Sequence, residues 1–284
     1  MLYRAPTALL LVAALTTAAC GGGNGDAHST PLGTAYGDGS RIPDVVREPT
    51  WIDPEDEDSE SCAYPDDQRV NVTGVTVVAI DRYDETGEGA QGNFYVQDSF
   101  AQTLDRYAPP EPGKPLSFGV TVFAPSFSPP DLRLAPGDVV DLLGGFMEFA
   151  GPSNGRFPEC RTLPEMAGTM TFRFEGGEEV EPTPVTLDDL RGYESARRYL
   201  GMLVRLEDVK IAGNPAESGG RYTASINMGA GVPSNDVVKI SNELYNLKGE
   251  GPQLSGMTFG AVTGVVTYFY GFKIAPRSPA DFEL

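Results

Sequence analysis

The chain has 284 residues and a net charge of −19, from 21 Lys and Arg against 40 Asp and Glu, with a pI near 4.3. Nucleic-acid binders gain affinity from Lys and Arg that displace counterions from phosphates, so this charge balance argues against DNA or RNA as a partner. The 34 glycines, 24 prolines and 10% aromatic residues, with no long helical pattern, are typical of short strands joined by turns.

The N-terminus has the pattern of an export signal. Arg4 gives a positive start, an apolar stretch covers residues 8–15, and two alanines directly precede Cys20. The stretch is shorter than the roughly 20 apolar residues that a spanning helix needs. The pattern resembles bacterial lipoprotein signals, which implies that residues 1–19 are a signal peptide and that Cys20 is lipidated and becomes the mature N-terminus. Thr17 stands where that family usually has Leu, so ordinary cleavage after either alanine stays open as an alternative.

Residues 20–68 are predicted to form a flexible acidic tether. Glycines follow Cys20, and acidic residues crowd together over 53–60. Such a stretch buries too little apolar area to offset the entropy of ordering it. Trp51 and Ile52 are the exceptions and are candidates for docking on the first folded unit. A Ca²⁺ site in the acidic run is an alternative, but its spacing matches no metal loop, which favours a solvated linker.

Residues 69–182 are predicted to be a first unit rich in strands. Apolar residues nearly alternate from Val70 to Ile80, and 92–98 is the expected return strand of a hairpin. Further strands are predicted over 118–123, after the turn at 134–138, and over 170–174.

Residues 183–284 are predicted to be a second such unit. Thr186 is a good helix N-cap with acidic residues just behind it, which predicts a short helix over Leu187–Arg198. That helix is expected to cover one end of a barrel. Strands are predicted over 200–206, 237–240, 259–268 and 272–274, the last two joined by a turn at Tyr270 and Gly271.

Short motifs in both units resemble a known family. The first unit carries Val72–Val77, Asn93–Asp98 and Pro136–Val140 with Gly144, and the second carries Gly201–Asp208, Gly264–Tyr268 and Pro276-Arg277-Ser278 with Asp281. These motifs look like the OB-type barrels attached to secreted bacterial nucleases. The resemblance covers about residues 70–284 and implies a mainly β fold of two small OB-like β-barrels in tandem, with a short helix between them. It does not carry the nuclease activity, because no catalytic domain of that kind follows.

The chain has three cysteines, Cys20, Cys62 and Cys160. If Cys20 carries lipid, the other two form an even count in an oxidising compartment, which predicts a disulfide between Cys62 and Cys160. Closing a loop of about 100 residues would stabilise the fold by about 4–5 kcal/mol. Two free buried thiols are the alternative.

The histidine content argues against most catalytic centres. The only histidine, His28, lies in the predicted tether, so Ser-His-Asp, Cys-His and histidine-zinc centres lack their imidazole. Residues 151–155 match the Gly-x-Ser-x-Gly elbow of hydrolases, but Arg156-Phe157-Pro158 follows instead of a helix. A surface turn is the favoured interpretation, and no catalytic residue and no cofactor are predicted.

The hairpin loop is a second possible Ca²⁺ site. Asp81, Asp84, Glu85 and Glu88 lie near glycines that could present backbone carbonyls to a cation. An ordinary polar hairpin turn is the favoured interpretation, and no metal site is predicted.

Aromatic residues are the better indication of a binding site. OB-type barrels bind oligonucleotides or oligosaccharides on an exposed face by stacking. Strand alternation directs about half of the aromatic side chains inward, so core packing explains most of them, and the scattered Lys and Arg form no basic stripe. The candidate binding residues are Phe94, Tyr95, Tyr268, Tyr270 and Arg277.

Three functional hypotheses follow. The first is a lipid-anchored protein of the bacterial envelope, expected at the outer membrane, that acts as a non-catalytic binding or structural module for an envelope protein or an oligosaccharide. The second is a nucleic-acid- or oligosaccharide-binding accessory of an extracellular nuclease system. The third is a carboxylate-dependent hydrolase, since 40 acidic residues leave many possible pairs.

Overall fold

The computed structural model describes residues 40–46, 48–51, 62–87, 92–98, 117–123, 134–174 and 179–284. This part of the chain is mainly β, as the sequence predicts. Lipidation of Cys20, the place of His28 in the tether and the solvated acidic run 53–60 are predictions that lie outside the described residues.

The first unit is a closed five-stranded barrel, which confirms the prediction of a barrel here. Its order is β1-β2-β3-β5-β4, with β3 and β5 parallel and the other neighbours antiparallel. The strands are β1 (Gln68–Ile80), β2 (Phe94–Gln97), β3 (Gly119–Phe123), β4 (Val139–Phe149) and β5 (Leu163–Phe174).

Strand alternation decides which side chains face out of this barrel. Phe94 and Val96 of β2, Val120 and Val122 of β3 and Met166 of β5 belong to the barrel core. Because successive side chains on a strand point to opposite faces, Tyr95, Thr121 and Glu165 lie on the outer face of the same three strands.

A short segment before the barrel packs onto it. Ser40 forms a parallel bridge with Val72, and the helix α1 (Ile42–Val45) adds Ile42 and Val45 to the barrel core. The guanidinium of Arg41 is buried 2.7 Å from Asp98. These residues lie inside the segment predicted as a tether, so the packed part of the chain begins well before residue 68.

The second unit is one sheet of eight strands, in the order β6-β7-β11-β12-β10-β9-β8 with β13 paired to β11. The pairs β6–β7 and β10–β12 are parallel. The strands are β6 (Thr183–Val185), β7 (Leu203–Lys210), β8 (Ala216–Ser218), β9 (Arg221–Ser225), β10 (Lys239–Ser241), β11 (Thr258–Tyr268), β12 (Phe272–Ala275) and β13 (Phe282–Glu283). The closing hairpin β11–β12 lies where the sequence predicts it.

This second sheet is open, so the predicted second closed barrel is not confirmed. Just past the end of β7, Ile211 forms a single antiparallel bridge with Ile226, which follows β9. The amide of Ala212 donates to the carbonyl of Ser225 at 2.8 Å, and the amide of Asn227 donates to the carbonyl of Lys210 at 2.8 Å. The ends of β7 and β9 are therefore joined by a single bridge rather than by a continuous ladder.

The helices are short. Those within the described residues are α1, α2 (Tyr193–Arg197) and α3 (Leu247–Glu250), with 3₁₀ turns over Ser234–Asp236 and Pro279–Asp281. The helix predicted over Leu187–Arg198 is wrong in its first half, because Gly192 has a φ of +84° that no α-helix allows. Among the described residues, no helix combines the length and the apolar character needed to cross a membrane.

A disulfide joins Cys62 to Cys160, so the predicted pairing is confirmed and the alternative of two free thiols is wrong. Cys160 lies in the loop between β4 and β5, where Phe157 is fully buried against the ring of Tyr268 at 5.0 Å. The elbow-like residues 151–155 form a turn in this same loop, with no helix after them before β5. The bond therefore ties the segment before β1 to the loop that packs on the second unit.

The two units meet backbone to backbone. A Cβ on Gly119 of β3 would lie 2.6 Å from backbone atoms around Gly201, and a Cβ on Gly201 would lie 2.5 Å from the amide nitrogen of Val120. Next to this contact, Gln97 Oε1 accepts the amide of Leu203 at 3.0 Å. An apolar cluster from both units continues the contact: Val78, Ala79, Tyr95, Leu203, Leu244, Val265 and Ala275.

Candidate functional site

A cavity of about 460 Å³ lies between the two units, and we call it the seam cavity. Its floor is the outer face of β2, β3 and β5, and its roof comes from β9, β11 and the segment after β10. The lining residues are Asp81, Glu85, Asn93, Tyr95, Thr121, Phe123, Met147, Phe149, Leu163, Glu165, Ala167, Arg221, Glu243, Thr267, Tyr268 and Phe269.

Three polar residues stand side by side on the floor. Tyr95 is paired with Thr121 across β2 and β3, and Thr121 is paired with Glu165 across β3 and β5. Thr121 is 5% exposed and its hydroxyl has no hydrogen-bond partner among the described residues. Glu165 is 7% exposed, and within the described chain its carboxyl has neither an ion-pair nor a hydrogen-bond partner. The floor therefore presents the buried carboxyl of Glu165 to the cavity, and the occluded hydroxyl of Thr121 lies on the neighbouring strand.

One wall of the seam cavity is the β1–β2 hairpin. Asp81 Oδ1 accepts the amides of Tyr83 at 3.0 Å and Asp84 at 3.3 Å, the pattern of an Asx turn. Glu85 lies 3.7 Å from the guanidinium of Arg221. Within the described residues no group of His, Cys, Asp or Glu is placed to hold a metal ion, and Glu88 of the possible Ca²⁺ loop lies outside them.

The roof holds two cations that are already engaged. The Lys273 ammonium lies 2.5 Å from Glu243, which also accepts a hydrogen bond from the Thr267 hydroxyl. The Arg221 guanidinium lies 4.5 Å from the centre of the Phe269 ring, and the Lys273 nitrogen lies 5.4 Å from the same centre. Both cations thus lie within the range of cation–π attraction of the Phe269 ring; Arg221 lines the cavity, and Lys273 lies behind its lining.

Burial shifts the pKa values of Asp81, Glu85 and Glu165 upward, and repulsion from neighbouring carboxylates adds to the shift at Asp81 and Glu85. Burial, with a further contribution from Glu243, raises the pKa of Glu85 to about 7. Burial alone raises the pKa of Glu165 to about 7, and burial also raises the pKa of Asp81. The pKa of the Tyr95 phenol is raised well above its usual range by burial and then by the surrounding carboxylates. At neutral pH, Glu85 and Glu165 can therefore each donate or accept a hydrogen bond.

The structure brings together two of the five predicted binding residues. Tyr95 and Tyr268 both line the seam cavity. Phe94 points into the core of the first barrel. Tyr270 is 42% exposed on the turn after β11 and packs against Phe269. Arg277 lies beyond β12 and forms an ion pair with its near neighbour Asp281 at 3.0 Å, outside the cavity.

Sequence reasoning singled out Asp81 and Glu85 but missed the other polar members of the site. Thr121 and Glu165 lie on strands where alternation indicates outward positions, which by itself favours solvent exposure. Arg221 and Glu243 lie in short segments of the second unit that gave no strong signal. Only the packing of the second unit over β2, β3 and β5 turns these residues into the walls of a cavity.

Replacing Glu165 by glutamine is expected to reduce the pH dependence of stability. Because burial raises the pKa of Glu165 from 4.5 to about 7, the folded state keeps a proton that the unfolded state releases between these values. The stability from this group is full at low pH and is lost as the pH rises toward 7, by about 3 kcal/mol in total. Urea unfolding at pH 5 and pH 8 measures the loss, which is expected to be smaller in Glu165→Gln than in the wild type.

The control for this experiment is Glu217→Gln, because Glu217 lies exposed on β8 and pairs with Lys248 at the surface. This variant is expected to follow the wild-type pH profile. A Glu165→Gln profile parallel to both would contradict the buried, proton-holding state of Glu165.

The seam cavity combines stacking rings, a free hydroxyl and four carboxyl groups, and it is open enough to admit a small molecule. Such a set can orient a ligand by hydrogen bonds and exclude water from its apolar parts. No protein-family model matches the chain, and no curated protein matches it.

Proposed function

We propose that the protein is a non-catalytic binding protein of the bacterial envelope and that the seam cavity is its ligand site. The observation that carries this proposal is the buried carboxyl of Glu165 on the floor, which lines the cavity and has no ion-pair or hydrogen-bond partner among the described residues. A buried polar group without a partner costs about 1–3 kcal/mol, and a ligand that supplies the partner recovers this cost. Cavities of several hundred Å³ between two folded units are frequent ligand sites.

We propose further that both units are OB-type barrels. This is supported by the strand order of the first unit, β1-β2-β3-β5-β4, and by the matching order β7-β9-β10-β12-β11 in the second. In the second unit the single Ile211–Ile226 bridge takes the place of the strand pair that would close the barrel between β7 and β9. The parallel pairs also match, β3 with β5 in the first unit and β10 with β12 in the second. OB-type barrels use the face of their second and third strands for ligands, and in the first unit that face is the floor of the seam cavity.

The membrane anchor is the third part of the proposal. A lipid on Cys20 would leave about 20 residues before Ser40, which can reach about 70 Å when fully extended. That length lets the two units stand clear of the lipid headgroups. Two or more acyl chains would hold the protein stably in a bilayer.

Cys20→Ser is expected to move the protein from the membrane fraction to the soluble or unprocessed fraction, because the thiol that accepts the lipid is lost. Fractionation followed by mass spectrometry of the N-terminal peptide measures this. The matched control is Thr17→Leu, which supplies the residue usual in lipoprotein signals and is expected to keep or increase membrane retention. Equal retention of Cys20→Ser and the wild type would reject the anchor.

The binding function is tested by filling the seam cavity. Ala167 lines the cavity, so Ala167→Trp is expected to block it without removing a polar group. A panel of oligosaccharides, peptides and amines is screened for thermal stabilisation, since a ligand at 100 times its Kd adds about 2.7 kcal/mol. A shift seen in the wild type and in the control Ala216→Trp, on exposed β8, is expected to vanish in Ala167→Trp. A shift that survives in Ala167→Trp would place the site elsewhere.

A carboxylate-dependent hydrolase is the second candidate, and one observation favours it. A general acid needs a pKa near the working pH, and Glu85 and Glu165 both have pKa values of about 7. Glu243 lines the same cavity and could supply the second carboxyl group that glycoside hydrolysis requires. Turnover of a polysaccharide panel by the wild type, lost in Glu165→Gln, would establish this activity in place of simple binding.

A further inference from the structure

We infer that the ligand of the seam cavity is a small organic cation that carries primary amino or guanidinium groups. The inference rests on the proposed binding function and adds the chemical class of the ligand. It depends on the balance of charge around the cavity, on the acceptor character of the floor and on the size of the space.

The charge balance leaves carboxyl groups without cations. Four acids line the cavity: Asp81 and Glu85 from the β1–β2 hairpin, Glu165 from β5 and Glu243 from the segment after β10. Arg221 faces Glu85 and Lys273 faces Glu243, so these two acids each have a cation within 4 Å. No ion pair reaches Asp81 or Glu165 from the described residues, and Asp84 adds a further negative charge beside Asp81. A ligand with two or three positive charges would balance the site when these acids are ionised.

The floor of the seam cavity presents a hydrogen-bond acceptor, which favours a ligand with hydrogen-bond donors. When ionised, the carboxylate of Glu165 only accepts hydrogen bonds. An ammonium carries three donors and no acceptor, so one amino group matches this carboxylate. Charge-assisted bonds of this kind are about twice as strong as neutral ones.

Aromatic rings suit the same chemistry. Phe269 already stacks with the cations of Arg221 and Lys273, which shows how the roof accommodates positive groups. Phe123 is 41% exposed at the end of β3 and lines the cavity beside this roof. Its ring can receive a ligand cation or the methylene chain that carries it.

Other ligand classes fit less well. An anion such as a phosphate would meet Asp81 and Glu165, which have no cation partner, and the only cations at the site, Arg221 and Lys273, already pair with Glu85 and Glu243 among the described residues. Like charges brought together cost several kcal/mol. A bare metal ion finds no group of ligating side chains placed for it in the part of the chain that the structure describes. At about 460 Å³ the cavity is also many times larger than one water molecule, which occupies about 30 Å³. A neutral sugar would leave Asp81 and Glu165 without a cation partner.

Binding of a cation should release protons. A positive charge beside Glu85 and Glu165 favours their ionised forms. Those carboxyl groups that are protonated in the free protein therefore release protons to the solvent when the ligand binds. Asp81, Asp84, Glu243, Arg221 and Lys273 are the other charged groups around these two acids. Affinity is therefore expected to rise with pH, on the order of 10- to 100-fold between pH 6 and pH 8 if both acids must ionise.

The experiment is titration calorimetry of the full mature protein with spermidine at pH 6, 7 and 8, in two buffers of different ionisation enthalpy. Salt near 0.15 M screens the exposed acids of this −19 chain, so diffuse counterion attraction contributes little. The expected result is one site, release of about one proton at pH 7, and tighter binding at the higher pH. Arginine amide and glucosamine serve as alternative amines.

The variants decide whether the site is the seam cavity. Glu165→Gln is expected to lower spermidine affinity at least tenfold at pH 8 and to halve the proton release. Ala167→Trp is expected to abolish binding, and Glu217→Gln, which removes an equally negative but exposed carboxylate, is expected to bind like the wild type. Thermal unfolding of each variant confirms that it is folded.

Three results would overturn the inference. They are no binding of any of the three amines at millimolar concentration, binding that Glu165→Gln and Ala167→Trp leave unchanged, and preference for Ca²⁺ or Mg²⁺ over the amines. If a neutral oligosaccharide stabilises the wild type but not Ala167→Trp while the amines do not bind, the cation inference fails and the proposed binding function stands. If Ala167→Trp changes the binding of no compound, both fail.

Discussion

Gly201→Ala is expected to cost about 2–5 kcal/mol of folding free energy and to loosen the contact between the two units. A Cβ at this position would lie 2.5 Å from the amide nitrogen of Val120 and 2.8 Å from its carbonyl carbon. Both atoms are backbone, so no flexible side chain can move aside. Overpacking of this kind costs about 1–3 kcal/mol, and the φ of +77° adds about 1–2 kcal/mol for any residue other than glycine.

The control for Gly201→Ala is Gly213→Ala. Gly213 has a similar φ of +72°, but nothing lies within 4 Å of the position of its Cβ. Its substitution is therefore expected to cost only the conformational part, about 1–2 kcal/mol. Chemical denaturation measures both variants, and the difference between them isolates the close backbone contact. Equal losses would mean that the two units do not meet at Gly201 as described.

Gly201→Ala also bears on the proposed ligand site. The floor of the seam cavity belongs to the first unit, and most of its roof belongs to the second, so the cavity exists only while the two stay in contact. A variant that loosens the contact is expected to lose ligand binding before it loses the secondary structure of either unit. Gly213→Ala is expected to keep binding.

Local patterns predict much of the first barrel. The valines of β1 nearly alternate, and the strands β2 and β3 begin and end within two residues of their predicted limits. The disulfide follows from counting cysteines in an oxidising compartment. These features depend on residues close in sequence or on a simple pairing rule, which explains why the sequence alone reveals them.

Features that depend on distant contacts are harder to predict. Ile42 and Val45 stand in a polar, proline-containing segment, and they gain order only because the end of the barrel core accepts them. The single Ile211–Ile226 bridge cannot be predicted from the sequence around either residue, because it depends on how β7 and β9 are placed by the rest of the sheet. Glu165 looks like a surface residue until the second unit covers β5. The aromatic candidates Tyr95 and Tyr268 were accessible to sequence reasoning because bulky rings signal binding wherever the fold places them.

Glu148→Ala is expected to cost about 3–5 kcal/mol, because it removes the carboxylate partner of a buried guanidinium. Glu148 Oε1 on β4 lies 2.7 Å from Arg197 Nη2 on α2, and the two side chains are 2% and 3% exposed. The hydroxyl of Thr162 donates to the other oxygen of Glu148 at 2.8 Å, and Arg197 Nη1 donates to the hydroxyl of Tyr193 at 3.1 Å. Burial raises the pKa of Glu148, and the positive charge of Arg197 lowers it. The ionised form of Glu148 therefore depends on its contact with Arg197.

Two comparisons separate this pair from an ordinary ion pair. Glu217→Ala, which breaks the exposed Glu217–Lys248 pair, is expected to cost less than about 1 kcal/mol. The double replacement Glu148→Leu with Arg197→Met is expected to recover most of the stability lost in Glu148→Ala, since two apolar groups of similar size leave no buried charge unpaired. Denaturant unfolding of the wild type and these three variants measures the losses, and a loss in Glu148→Ala no larger than in Glu217→Ala would contradict the buried pair.

Arg197 also links this pair to the segment before the barrel. Its guanidinium lies 5.5 Å from the centre of the Trp51 ring, and Trp51 Nε1 donates to the carbonyl of Cys160 at 3.1 Å. Trp51 is the single tryptophan of the chain, so its fluorescence reports this contact directly. Arg197→Ala is expected to shift the emission toward longer wavelength, because the ring loses its cover and meets water. The disulfide and Trp51 both attach the segment before β1 to the loop between β4 and β5. Phe157 of the same loop packs against Tyr268 of the second unit. A substitution in this loop is therefore expected to destabilise the packing of both units.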